Sequence, residues 1–473
     1  MDEKERRLQR LEEAVAIATS AEQKWSSRQI KLRDQVRNAR KQWRYRTECE
    51  YDALNTVART EYMVENEWQT EGVPTLPRPF EYYGAGGKAY MMHRTHSVRK
   101  YYDQYVAALE AAGFEKYSEC EAGRCISSCF TTDTLVIHVL HVSGENILRA
   151  VVDLRSAAEL PHKEPFCDGT PHCAEPAIML FGDHMFEAVD CGMGYVFRLT
   201  DGTFLLIDGG CSRPATIADA LYDRLVELAE GREIVIAAWI FTHYHGDHMD
   251  AYFQFSEKYG KRVTLKRVIH NIQGEFVDTV VKGCGHSYFQ KTERTREMYR
   301  EPVAFYRAYT GQKYEFPDLT VEMLFGPEDY EMPRYSYDVN GTSLAFRVTS
   351  MGQTYLFLGD ATEMESDKIA YRYGALLKSD AVQVAHHGYP GGTMALYDLV
   401  AAPVFFWSCP YYDPREYIAD RNRYNDPNWS PLVREMAAKH AKVVYLLWEG
   451  TAILSMPIDT EHKQTGCTSK EES

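Results

Sequence analysis

The sequence has no pair of cysteines in CxxC spacing, no apolar stretch approaching the roughly 18 residues of a membrane span, and no surplus of basic side chains. Its eleven cysteines are scattered, and Met1-Asp2-Glu3-Lys4-Glu5 lacks the apolar core of a signal peptide. The expectation is a cytoplasmic protein with reduced thiols and no membrane span. A net charge of −15 excludes a general DNA-coating protein, because phosphate affinity needs concentrated Lys and Arg. Composition is globular, and 473 residues leave room for two or three domains.

From Leu8 to Trp43 a 3/4 spacing runs through Leu11, Val15, Ala18, Glu22, Trp25, Gln29, Leu32, Val36 and Ala39 without Gly or Pro, with Glu22 and Gln29 weakening the seam. It predicts a long helix or coiled coil over 1–72, able to join chains as a homo-oligomer, ending before Gly72-Val73-Pro74. Eight basic residues lie between Arg28 and Arg46, which read first as a solvated helix face and second as a nucleic-acid contact. Residues 80–160 read as a small α+β module. Ser97 opens a helix that Gly113 stops, and strands follow at Cys125 to Thr131, Leu135 to Val142 and Ile147 to Leu154. His138 and His141 read as half-buried sheet residues. His162, Cys167, His172 and Cys173 lie in a linker at spacings that match no standard zinc finger.

A third domain, 177–460, alternates strands and helices, with a disordered tail over 461–473. Short strands are expected at Met179 to Phe181, Met185 to Val189, Gly194 to Leu199 and Thr203 to Ile207, with a tight turn at Asp201-Gly202. The apolar run Ile234 to Phe241 predicts a buried strand, and Thr242-His243-Tyr244-His245-Gly246-Asp247-His248 follows it. Three imidazoles and a carboxylate packed so closely are costly to desolvate unless a cation compensates them. Three more strand ends carry matching groups: Asp208-Gly209-Gly210, Gly359-Asp360-Ala361 and His386-His387-Gly388. Four such ends can converge on one rim of a sheet sandwich, where a two-metal site can be built.

With these motifs the sequence resembles the metallo-β-lactamase superfamily over residues 178 to 457. His243, His245, Asp247 and His248 stand as its His-x-His-x-Asp-His signature. Within it the chain is most similar to the ComEC-like hydrolase domain, through Asn340-Gly341-Thr342-Ser343-Leu344, Leu358-Gly359-Asp360-Ala361 and His386-His387-Gly388. The resemblance implies an α/β, four-layer αββα sandwich and two divalent metal ions, Zn first, Mn or Fe as alternatives. His243 and His245 would bind one ion; Asp247, His248 and His387 the other; Asp360 would bridge. Asp208, Asn340 and Ser343 would orient the ligands from behind. The implied activity is hydrolysis by a metal-bridging hydroxide, with Asp247 or Asp360 taking the proton and His386 meeting the developing oxyanion.

The sequence departs from the family in two places. A further histidine ligand common in the superfamily has only His270 and His286 as candidates. Met249-Asp250-Ala251 replaces the usual apolar-Gly-Gly. The expected substrate is a phosphodiester, either a nucleic acid or a small molecule. The insertion Gly274 to Tyr314 and the aromatic loop Trp407 to Trp429 are candidate walls of its cleft. A neutral ester, thioester or lactam is the alternative substrate, and a metal-binding scaffold assembled by the N-terminal helix is the non-enzymatic alternative.

Overall fold

The run Val235–Ile240 is strand β10, and its composition explains its place at the centre of a sheet. Ala238 and Ile240 point into one apolar layer while Ile236, Trp239 and Phe241 point into another, with a register shift between Ile236 and Ala238. A strand buried on both faces suits parallel pairing. In the computed structural model it pairs in parallel with β9 (Phe204–Ile207) on one side and β12 (Arg267–His270) on the other. The structure describes residues 72–74, 76, 81–85, 88–94, 98–145, 147–167, 173–182, 192–212, 216–272, 285–330, 339–408 and 431–464. The predicted N-terminal helix with its basic stretch, the strand Met185 to Val189, His172, most of the Trp407 to Trp429 loop and the end of the C-terminal tail lie outside the described residues, as does the His286 side chain.

The first sheet of the sandwich runs β13-β12-β10-β9-β8-β7-β21, with β7 (Ala177–Leu180), β8 (Tyr195–Arg198), β13 (Ala304–Arg307) and β21 (Ala452–Ser455); β11 (Thr264–Leu265) pairs with β10 off this path. The second runs β14-β15-β16-β17-β18-β19-β20: Lys313–Glu315, Leu319–Phe325, Ala345–Ser350, Gln353–Phe357, Ala381–Gln383, Val404–Trp407 and Val443–Leu446. Between the sheets lies a shared core that includes Tyr195, Phe197, Phe346, Tyr355, Phe357 and Phe406. Phe197 meets Tyr355 edge-on at 5.6 Å, the arrangement aromatic quadrupoles favour. Each of these side chains, fully withdrawn from water, contributes about 2 to 3 kcal/mol.

Helices cover the outer faces. α2 (Ile217–Ala229) and α3 (Gly246–Tyr259) bury Leu221, Leu225, Met249, Tyr252 and Phe255 against the first sheet, and α4 (Gly285–Thr295) packs beside α3 through Tyr288 and Phe289. On the second sheet, α5 (Glu363–Tyr373), α6 (Met394–Val400) and α7 (Pro431–His440) bury Ile369, Tyr373, Leu396, Tyr397, Val433 and Met436. These are four layers in the order αββα.

Ahead of the sandwich stands a six-stranded antiparallel sheet of order β1-β2-β6-β5-β4-β3, with ranges Glu81–Ala85, Lys88–Arg94, Ile147–Leu154, Leu135–Val142, Cys125–Thr131 and Glu115–Ala122. Helix α1 (Val98–Ala111) places Tyr102, Tyr105 and Leu109 on one face, against Phe130, Ile137, Val139 and Leu148. The predicted strands β4, β5 and β6 are present; β1, β2 and β3 were not foreseen. His138 and His141 are buried rather than half-buried. Sandwich residues cover the sheet's second face, where His138 stacks on Tyr309 at 4.2 Å. Among the described residues no helix is long and apolar enough to cross a membrane.

Candidate metal centre

Four strand ends set the site. β9 delivers Asp208, β10 delivers Thr242 to His248, β17 delivers Asp360, and β18 delivers His386 and His387. The parallel pairs β9/β10 and β17/β18 bring each pair of ends to the same edge, and Leu344 N–H donates to Thr242 O at 2.8 Å to join the two edges. Several backbones here are strained. Asp208, His386 and His387 all have φ near +50°, a conformation costing a non-glycine residue on the order of 1 to 3 kcal/mol unless its surroundings enforce it. Trp407 Nε1–H donating to His387 O at 2.8 Å, and His386 N–H donating to Gly359 O at 3.0 Å, do so. Gly388 is required beside them: its φ is +87°, and a Cβ there would lie 2.5 Å from Trp407 Nε1.

Hydrogen bonds fix the ring tautomers. His248 Nδ1–H donates to Asp208 Oδ2 at 2.8 Å, and His387 Nδ1–H donates to Ser408 O at 2.8 Å. Thr242 Oγ1 donates to Asp208 Oδ2 at 2.8 Å and so is free to accept from His243 Nδ1–H at 3.2 Å. All three Nε2 lone pairs therefore point inward. His248 Nε2 and His387 Nε2 face each other at 3.2 Å, an arrangement that needs a cation or a proton between them. Asp360 Oδ1 lies 3.3 Å from His248 Nε2 and 3.5 Å from His387 Nε2, and Asp247 Oδ2 is 3.4 Å from His387 Nε2. Ligands held tetrahedrally at 2.0 to 2.1 Å from an ion are roughly 3.3 to 3.4 Å apart, so the spacing fits a divalent cation. Asp360 Oδ1 is buried with no hydrogen-bond partner, which a coordinated cation would supply.

Two groups could hold an ion: Asp247, His248, Asp360 and His387, then His243, His245 and Asp360, with donor atoms within 4.8 Å of one another in each. Asp360 belongs to both. In the second, His243 Nε2 and His245 Nδ1 are 3.0 Å apart and Asp360 Oδ2 is 3.8 Å from His243 Nε2.

No family model and no curated protein matches the chain. Solved structures similar to it include the metallo-beta-lactamase fold protein YhfI from Bacillus subtilis, at 14% identity over 57% of this chain and 96% of that one, with a TM-score of 0.35. Unliganded yeast PDE1 matches at 10% identity over 60% of this chain and 100% of that one, TM-score 0.37. A mutant of the CmlA beta-hydroxylase matches at 14% identity over 96% of this chain and 92% of that one, TM-score 0.35. Within the chain itself, an αββα sandwich carries its His-x-His-x-Asp-His loop, Asp208, Asp360 and His387 together on one rim. The chain has the four-layer αββα sandwich that the metallo-β-lactamase resemblance implied.

On that fold the residues behind the ligands are as specific as the ligands. Asp208 accepts from Thr242 N–H and from the Thr242 hydroxyl, each at 2.8 Å, besides orienting His248. Ser343 Oγ accepts Asp360 N–H at 3.0 Å and lies 3.3 Å from His243 Nδ1. Thr242 and Ser408 were not singled out in the sequence; Ser408 acts through its carbonyl, which leaves no residue-type signal. Asn340 stands 3.1 Å from His386 Nε2, while His386 Nδ1–H donates to Pro390 O at 2.9 Å. That ring is 22% exposed and 3.9 Å from Asp360 Oδ2, at the edge of the cluster rather than in it. His270 Nδ1 accepts Ile272 N–H at 3.0 Å, and neither ligand group includes it. The unusual Asp250 accepts from Tyr288 Oη at 2.9 Å and from Ser212 Oγ at 3.2 Å, tying α4 and the loop after Asp208 to the start of α3.

The electrostatics match a cation site. Burial, reinforced by the neighbouring His248, holds His243 well below the usual imidazole range, so it is neutral. Burial alone would lower His248, but Asp360, Asp208 and Asp247 surround it and hold it well above that range. Burial would likewise raise Asp360, yet His248, His387 and His243 keep it well below the carboxylate range.

Proposed function

We propose that this protein is a dinuclear metallohydrolase acting on a phosphodiester. The observation that carries the reading is Asp360, a buried carboxylate with one oxygen directed at His248 and His387 and the other at His243. Asp247, His248, His387 and Asp360 would hold one ion, His243, His245 and Asp360 the other, and borderline imidazole and carboxylate donors favour zinc over manganese or iron. Bound divalent cations supply Lewis acidity and lower the pKa of coordinated water.

The chain's own residues supply the rest. Asp247 is the ligand that opens towards solvent, its side chain 27% exposed, and it stays ionised: burial raises its pKa, but His248 and His387 more than offset this. The ionised Asp247 carboxylate is therefore the group placed to accept a proton from an attacking water. His386, held between Asn340 and Pro390 O at the edge of the cluster, is the ring placed to contact the substrate beside the ligands. Preference for a phosphodiester, a nucleic acid or a smaller molecule, rests on the ComEC-like runs around Asn340, Asp360 and His387.

Metal-loaded protein is expected to hydrolyse bis(p-nitrophenyl) phosphate faster than p-nitrophenyl acetate. Turnover of the acetate alone would favour a neutral ester, thioester or lactam and sink the phosphodiester reading. No metal-dependent turnover of any such substrate would leave the scaffold alternative standing.

A further inference from the structure

We infer that the six-stranded sheet braces the metal centre, and that Glu145 is a positioning residue for the bridging carboxylate of Asp360, an inference that rests on the metal reading above. Four charged side chains are buried together where the sheet meets the sandwich: Glu145, Arg149, Asp329 and Arg372. Arg372 grips Glu145 through Nε and Nη2, each at 2.8 Å, and its Nη1 bonds Asp329 Oδ1 at 2.6 Å. Arg149 reaches the same Asp329 oxygen at 2.9 Å. Apolar side chains would fill such a space at least as stably, so what the charges provide is a fixed geometry.

That geometry holds the far end of α5. The hairpin turn of β3 and β4 donates Arg124 N–H to Arg372 O at 2.7 Å, capping a terminal carbonyl of the helix. Close approach there needs Gly123, whose φ is +61° and where a Cβ would lie 2.3 Å from Arg372 O. The β5–β6 turn contributes Glu145, and its Gly144 lies so near α5 that a Cβ would stand 2.1 Å from Tyr371 Oη.

From this clasp two routes reach Asp360. Along the first, α5 runs back roughly 16 Å at 1.5 Å per residue to its N-cap, Thr362, two residues after Asp360. Along the second, Asp329 accepts Gly326 N–H at 3.0 Å at the end of β15; β15 pairs with β16, and Ser343, just before β16, accepts Asp360 N–H. Asp360 is thus fixed from both sides by elements that the N-terminal sheet locks in place.

The test titrates metal-free protein with Co(II) and follows its visible absorption. Glu145→Gln removes one charge from the clasp without changing shape. Leu109→Ala is the control, since it loosens the same sheet from its α1 face without touching the clasp. Wild type is expected to take up two Co(II) per chain. Glu145→Gln is expected to bind the second at least tenfold more weakly, with altered absorption, while Leu109→Ala at a comparable fall in Tm binds as wild type. Glu145→Asp should recover part of the affinity. The inference is overturned if Glu145→Gln titrates as wild type, or if Leu109→Ala loses the second ion equally. A wild-type protein that takes up no cobalt would instead defeat the metal reading itself. Should Glu145→Gln fail to fold, Glu145→Asp, which keeps the charge and only shortens its reach, is titrated in its place: a weakened second ion supports the inference and a wild-type titration overturns it.

Discussion

Replacing Asp208 by Asn changes one oxygen to an amide and should reach the metal without touching it. Oδ1 can still accept Thr242 N–H, so the loop keeps its backbone anchor. The new NH2 group, however, faces His248 Nδ1, where a donor already sits at 2.8 Å. To relieve two opposed donors, His248 must move its proton to Nε2, the atom facing His387 Nε2 and Asp360 Oδ1. The lone pair meant for the ion is then gone. Losing a charge-assisted hydrogen bond of this kind costs about 1.5 to 3 kcal/mol. Outer residues of metal sites typically control 10- to 100-fold in affinity, about 1.4 to 2.7 kcal/mol, so the two estimates agree. Stability of the metal-free fold should change less, because burial already raises the Asp208 pKa and removing that charge relieves a desolvation cost. Competition against a chromophoric chelator measures the affinity, and urea unfolding measures the stability. Unchanged metal affinity in Asp208→Asn would refute the tautomer reasoning.

Asp247→Ala should abolish metal-dependent turnover, measured with bis(p-nitrophenyl) phosphate, while leaving the far-UV circular dichroism unchanged. His387 behaves like His248: burial lowers its pKa, but Asp360 and Asp247 outweigh this and raise it. Metal must displace that proton, so affinity should climb as pH rises through the raised pKa and level off above it; calorimetry in buffers of different ionisation enthalpy should show proton release. The same raised pKa stabilises the metal-free fold below the unfolded imidazole value, a contribution lost as pH rises through the folded value. Glu365, which closes a capping box with Thr362 at the start of α5, is pushed up to about 7 by burial. The folded state then holds a proton that the unfolded chain releases above the ordinary glutamate value of 4.5, so stability should fall by roughly 1 to 3 kcal/mol between pH 4.5 and 7. Glu365→Gln should flatten that slope, as denaturant melts at pH 5 and pH 8 can show.

The sandwich was legible because its strands are buried on both faces and each ends abruptly in chemistry: Ile207 before Asp208, Phe241 before Thr242 to His248, Val384-Ala385 before the histidine pair. The N-terminal sheet was half legible. β4, β5 and β6 carry apolar runs, whereas β3, Glu-Lys-Tyr-Ser-Glu-Cys-Glu-Ala, is an edge strand with charges on its open side and shows no core signal. That the sheet's second face packs on the sandwich, through Cys125, Leu140 and Val142 and through the paired Glu145, Arg149, Asp329 and Arg372, was invisible, since these residues come from separate stretches of the chain. Ser408 left no trace because it meets His387 through its carbonyl, which any residue type supplies. His387 was separated from His386 by its place next to Gly388, and the structure shows why neighbours differ: two successive left-handed residues turn one ring inward to His248 and the other outward to Asn340.

The central claim is that Asp360 joins two ions in one site. Metal content per chain, measured on purified wild type and on Asp360→Asn after dialysis against limiting free zinc, tests it most directly. The expected result is two ions per wild-type chain and loss of both together in the variant. Wild type that holds no ion, or Asp360→Asn that retains both, would contradict it.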